Sequence, residues 1–186
     1  MNNIKKFDVV VQNPPYQAPK VKEHEGRGKC GKSLWEDFVK KSLILVKDNG
    51  YVCNIHPPRW RKPDSKIGED LKQLQLLYVK MYGLEAGKEI FKCQTDFDWY
   101  ILQNKKCTEE TEIVDQNNET INCKTNNLPF IPDTKIKDVM SLVAKNGEEK
   151  VSLLYNCSYH HQARTKDGTM SRIKDDKFKY PVIYSI

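Results

Sequence analysis

With 186 residues the chain has room for one ordinary domain or one and a half small ones, so it can bury a core without disulfide or metal staples. Its 38% hydrophobic, 10% aromatic and 30% charged residues describe a globular protein, and no apolar run approaches the ~18 residues of a spanning helix, which argues against both a disordered chain and a membrane protein. A net charge of +6 suits a polyanionic partner but does not demand one, because the same balance is common in proteins that never touch nucleic acid.

The first residues carry no apolar block followed by small residues, so no secretory signal is read and a cytoplasmic protein is expected. Cys30, Cys53, Cys93, Cys107, Cys123 and Cys157 are scattered without a Cys-x-x-Cys pair, which fits reduced thiols and neither a zinc ribbon nor a disulfide framework.

Residues 7–12 form a β-branched run closed by two prolines, the pattern of a buried strand that delivers its carboxyl end to a surface. A polar loop is expected over 17–32. Ser33-Leu34-Trp35-Glu36 has the form of a capping box with Ser33 as N-cap, and Leu34, Trp35, Phe38, Ser42, Leu43 and Val46 then share a helical face ending near Asp48-Asn49-Gly50. Residues 51–55 are the next strand, stopped by His56-Pro57-Pro58. A second helix follows Pro63-Asp64, with Ile67, Leu71, Leu74 and Tyr78 on one side. Strands are expected over 77–82, 89–93 and 99–103, the last two as an antiparallel hairpin at a sheet edge.

Strand and helix in alternation predict an α/β fold. Beyond Asn104 the pattern weakens to Thr, Asn, Glu and Lys, with Ile113-Val114 and Ile121 as strand hints, so a domain boundary is expected between 104 and 105. A short helix is expected over 135–145. The closing run 179–186 is apolar and strand-like, which reads as an interrupted domain, and the start is equally abrupt.

The chemistry is carried by Asn13-Pro14-Pro15-Tyr16, directly after the first strand. An exocyclic base amine is a poor nucleophile because its lone pair is delocalised into the ring. Two acceptors that hold both N–H bonds make the nitrogen tetrahedral and aim the pair outward. The Asn13 carbonyl oxygen is one candidate and the Pro14 main-chain carbonyl the other, with Pro14 and Pro15 restricting the backbone of the residue before each. Tyr16 offers a flat face to a target ring swung out of the DNA stack. The plainer reading is a proline pair that ends a strand beside a core tyrosine.

Phe-Asp-Val-Val-Val-x-Asn-Pro-Pro-Tyr resembles the catalytic segment of adenine-specific DNA methyltransferases of the restriction-modification type, in the group whose cofactor-binding half precedes the catalytic half. Leu34-Trp35-x-x-Phe38, Leu43-x-Leu45-Val46-x-x-x-Gly50-Tyr51 and His56-Pro57-Pro58-x-Trp60 continue the similarity through about the first hundred residues. The resemblance implies the C-terminal half of a Rossmann-like sheet with an antiparallel edge hairpin (1–104), then a mixed α+β partial target-recognition region (105–186). It also implies S-adenosylmethionine as methyl donor, double-stranded DNA as substrate, and Phe91 as a second stacking group beside Tyr16, with Phe97 as its competitor.

Nothing in the sequence corresponds to the family's Gly-rich cofactor turn, so a gene fragment, or one part of a split enzyme completed by a separate chain, is expected. Gly26-Arg27-Gly28-Lys29-Cys30-Gly31-Lys32-Ser33 matches a phosphate-binding loop letter for letter, but the polar residues 17–25 cannot be the buried strand that a P-loop nucleotide triphosphatase places before it. Lys29 and Lys32 are read instead as phosphate contacts on DNA. His160 and Arg164, in a stretch mixing aromatics, amides and cations, are candidates for DNA recognition. No third ligand joins the paired histidines, so no metal is expected. A glutamine-amide or RNA-base methyltransferase and an inactive DNA-binding remnant are the remaining alternatives.

Overall fold

The computed structural model describes residues 5–18, 33–145 and 147–148. Its centre is a six-stranded sheet in the order β1-β2-β4-β3-β5-β6, built from β1 (Phe7–Gln12), β2 (Val46–His56), β3 (Leu74–Tyr82), β4 (Phe97–Lys106), β5 (Thr111–Val114) and β6 (Thr120–Cys123). β1 runs parallel to β2, and β5 parallel to β3; β4 lies antiparallel between β2 and β3, and β6 antiparallel to β5. Consequently β1, β2, β3 and β5 all end at the same edge of the sheet. In open α/β sheets that edge is where binding sites are built.

One face of the sheet is closed by α1 (Trp35–Leu45) and α2 (Lys66–Gln73), over a core that includes Trp35, Val39, Val52, Trp60, Leu71, Leu76, Val79, Tyr100 and Leu102. α2 begins on Ser65, whose hydroxyl accepts from the Gly68 N–H at 3.2 Å. Gly68 is required by a close approach: a Cβ there would stand 1.8 Å from the Trp60 carbonyl oxygen.

Several sequence expectations change. Ser33 does not cap α1: Leu34 holds the cap position without a side-chain hydrogen bond, and Ser33 instead pairs with Gln17 across a single antiparallel bridge. Residues 89–93, expected as a strand, are mostly the end of helix α3 (Leu84–Phe91), because Gly87 lets the helix approach the Thr95 carbonyl oxygen, where a Cβ would sit at 1.8 Å. The antiparallel edge hairpin therefore exists but is β5–β6, and β4 is an interior strand. Leu74 and Tyr78, expected on α2, belong to β3. β1 is a strand but not a buried one: it lies at the edge of the sheet, with Phe7 44%, Val9 55% and Val11 73% exposed. The sheet continues past 104 to Cys123, and a compact unit spans Met1–Val143.

A buried ion pair crosses this fold. The Arg61 Nε and Trp60 Nε1 both donate to Asp98 Oδ2 at 2.7 Å, while Arg61 also donates to the Ile131 carbonyl at 3.0 Å and to Asp133 at 2.7 Å. Arg61 and Asp98 are 4% and 0% exposed, so removing the cation strands a carboxylate in the interior. Arg61→Met should therefore cost about 3–5 kcal/mol in urea unfolding, whereas Asp133→Asn, at a solvent-facing partner, should cost under about 1 kcal/mol.

Candidate active site

At the carboxyl end of β1 the chain turns through Asn13, Pro14, Pro15 and Tyr16. Asn13 and Pro15 are exposed, Pro14 is buried and Tyr16 is half-buried against the core. A buried proline between two exposed residues anchors the corner while leaving the Asn13 carboxamide in solvent. The Tyr16 carbonyl accepts from the Leu34 N–H at 3.1 Å, and the Gln17–Ser33 bridge follows at once. The corner is thus tied to the start of α1.

The Tyr16 hydroxyl is buried and lacks a hydrogen-bond partner among the described residues. Burial, then the neighbouring Cys93, Asp98 and Asp96, pushes its pKa up to about 12, so the phenol stays neutral and the ring acts by its face. The ring packs against the core cluster that contains Trp35, Trp60 and Tyr100. Asp98 is itself raised to about 6, because the cost of burial exceeds what Arg61 and Trp60 return.

The two aromatic candidates separate clearly. Phe97 is 3% exposed and stacks on Tyr82 at 4.7 Å, which makes it a core residue. Phe91 is half-buried at the last position of α3 and meets Phe97 edge-on at 4.9 Å. Lys92, in the left-handed conformation at φ 57°, ends the helix there. Lys29, Lys32, His160 and Arg164 lie outside the described residues.

Sequence reasoning missed the polar network under the site. His56 stacks on Trp35 at 4.5 Å, its Nδ1 lies 2.9 Å from the Pro57 carbonyl and its Nε2 lies 3.3 Å from the Tyr100 hydroxyl, which also accepts from Asn54 Nδ2 at 2.8 Å. The visible signal was alternation in β2, where Val52, Asn54 and His56 fall on the helix-covered face. Among the described residues no group of His, Cys, Asp and Glu could hold a metal ion, and no helix is long and apolar enough to cross a membrane.

At this edge an Asn-Pro-Pro-Tyr corner follows β1 and a His-Pro-Pro turn follows its parallel neighbour β2. Residues 1–82 match the Eco57I restriction-modification methylase family. The resemblance seen in the sequence is therefore to a restriction-modification methylase. A protein of Mycoplasma pneumoniae described as an uncharacterized adenine-specific methylase is 29% identical over 110 residues, 59% of this chain and 22% of that protein. The type II restriction enzyme and methyltransferase RM.Eco57I of Escherichia coli is 27% identical over 114 residues, 54% of this chain and 11% of that protein. The chain thus spans under a quarter of either relative. Among solved structures, the type I restriction-modification methyltransferase subunit from Streptococcus thermophilus aligns with a TM-score of 0.44 and 18% identity, covering 75% of this chain and 32% of that one.

Burial lowers the His56 pKa from 6.5 to about 4, which keeps the ring neutral. A basic group depressed in the folded state stabilises above its unfolded pKa, and that contribution, on the order of 3 kcal/mol, fades as pH falls from about 6.5 toward 4. Asp98 acts with the opposite sign between its unfolded value of 3.8 and about 6. The stability difference between the unaltered chain and His56→Gln, followed by urea unfolding at pH 7.0 and about 4.5, should isolate the first effect by narrowing toward acid.

Proposed function

We propose that this chain is the acceptor side of an S-adenosylmethionine-dependent DNA adenine methyltransferase. The observation that carries the reading is the corner itself: an exposed asparagine and a buried proline at the binding edge of the sheet, beside a tyrosine whose ring is neutral. The Asn13 side-chain oxygen and the Pro14 carbonyl accept the two N–H bonds of the adenine amine. Tyr16 packs on the flipped ring, and Phe91, the aromatic left half-exposed, bounds it from α3. The methylated nitrogen is transiently cationic and loses its proton readily, so no side-chain base is required. Amide acceptors oriented beforehand act without reorganising at the moment of reaction.

S-adenosylmethionine, when bound, supplies the methyl group. The described residues fit the acceptor and not the cofactor: no Gly-rich turn adjoins β1, and what lies beside the corner is an unpaired strand edge. The exposed Phe7, Val9 and Val11 on that edge, together with Tyr51 on β2, form an apolar margin that suits a further strand. In this reading the family's cofactor-binding half pairs with β1 and covers that margin. Duplex DNA is the substrate, and Lys29, Lys32, His160 and Arg164 are its proposed contacts.

The test is methylation by the chain completed with such a half. Asn13→Ala should lower the rate about 10²–10³-fold, the loss seen when one oriented polar group is removed from a reacting centre, with urea stability unchanged because the side chain is exposed. Tyr16→Ala should also reduce it. Undiminished adenine methylation in both variants would refute the assignment. Val11→Glu should block association with the cofactor-binding half, measured by co-purification, while leaving the isolated chain folded.

A further inference from the structure

β5 runs parallel to β3 and therefore ends at the same edge of the sheet as the Asn13 corner. The turn after it, Asp115-Gln116-Asn117-Asn118-Glu119, brings three consecutive amide side chains to that edge. They face an open groove of about 560 Å³ whose other wall is the turn at Tyr82, Gly83 and Leu84 that starts α3.

The turn is held from within. The Asp115 carboxylate, 1% exposed, accepts from the N–H groups of Asn117 at 2.8 Å, Glu119 at 2.9 Å and Lys135 at 3.0 Å. Gln116 N–H donates to the Asp133 carbonyl at 3.1 Å, and Asp133 is the outer partner of Arg61. Lys80 donates to the Asn118 side-chain oxygen at 2.6 Å and to the Asp115 carbonyl at 3.2 Å, fixing Asn118 at its positive φ of 64°. By contrast, the Gln116 and Asn117 side-chain amides have no hydrogen-bond partner among the described residues.

The chemistry of the tip selects its ligand. The Lys80 charge is spent inside the turn, where it holds Asn118, so what the tip presents toward the groove beside Gly83 is the uncharged amides of Gln116 and Asn117. Primary amides pair a donor with an acceptor, the pattern that reads an adenine edge in the major groove. A tip already ordered loses little conformational entropy on binding.

Resting on the reading of duplex DNA as substrate, we propose that Gln116 and Asn117 are specificity-determining residues that read base edges away from the target adenine. β5 stands four strand spacings from β1, about 19 Å, which spans five or six base-pair steps of a duplex lying along the sheet edge.

The test is selection of duplexes, randomised on both sides of one central adenine, by the immobilised full chain at low salt, followed by sequencing. The unaltered chain should enrich particular bases about five or six pairs from the adenine, and Gln116→Ala/Asn117→Ala should lose that enrichment. Total retention and its salt dependence should stay within about twofold, because no cation is removed. Enrichment that survives in the double variant, or its absence in the unaltered chain while duplex is retained, overturns the inference and leaves the methyltransferase reading standing. Failure of the unaltered chain to retain any duplex counts against DNA as substrate and removes the inference with it. Asn117→Gln, which keeps the amide, should retain a preference, as a loss caused by misfolding would not.

Discussion

The pairing of Arg61 with Asp98 organises the site because it joins three parts of the chain that are distant in sequence. It links the turn after β2, the first residues of β4 and the segment at Ile131–Asp133 through a guanidinium whose donors are shared among a carboxylate, a carbonyl and a second carboxylate. Desolvating both charges is costly, and the raised pKa of Asp98 records that cost. What the arrangement provides is position: Trp60 is fixed against the same carboxylate oxygen, and His56, Tyr100 and Trp35 pack around it in turn. Tyr16 packs against the core that contains this block, so the Asn13–Tyr16 corner is anchored by more than its own short loop.

The same block divides two kinds of aromatic residue. Phe97 and Tyr100 are absorbed into packing, while Tyr16, Tyr82 and Phe91 remain partly open. In the proposed mechanism that division matters, since a ring already sealed in the core has no face to lend to a flipped base.

What could be read from sequence was what is encoded locally. Two adjacent prolines restrict their own backbone and that of the preceding residue whatever surrounds them, so the Asn13 corner was legible, as were α2 and the end of β2 at a proline pair. Ser33 failed as a cap because its partner, Gln17, is set by the return of a long loop, which no local pattern records. The end of α3 reads as a strand in sequence because Glu89-Ile90-Phe91 is too short to show a period, and the reason for the helix, Gly87 against Thr95, is a tertiary contact. β5 and β6 were only hinted at by Ile113 and Ile121, since four-residue strands at a sheet margin bury few side chains. β1 departs in the other direction: its apolar run has the pattern of a buried strand, yet its side chains border solvent.

The bridge between Gln17 and Ser33 has a consequence for how the protein can change. The bridge and the Leu34–Tyr16 hydrogen bond beside it join the end of the corner directly to the start of α1. Closing a longer loop over the same two anchors adds only about 0.6 kcal/mol for each doubling of its length. Residues can be inserted or deleted between the anchors while the corner keeps its geometry, which makes this the place where descendants of one fold can diversify what they touch without retuning what they do.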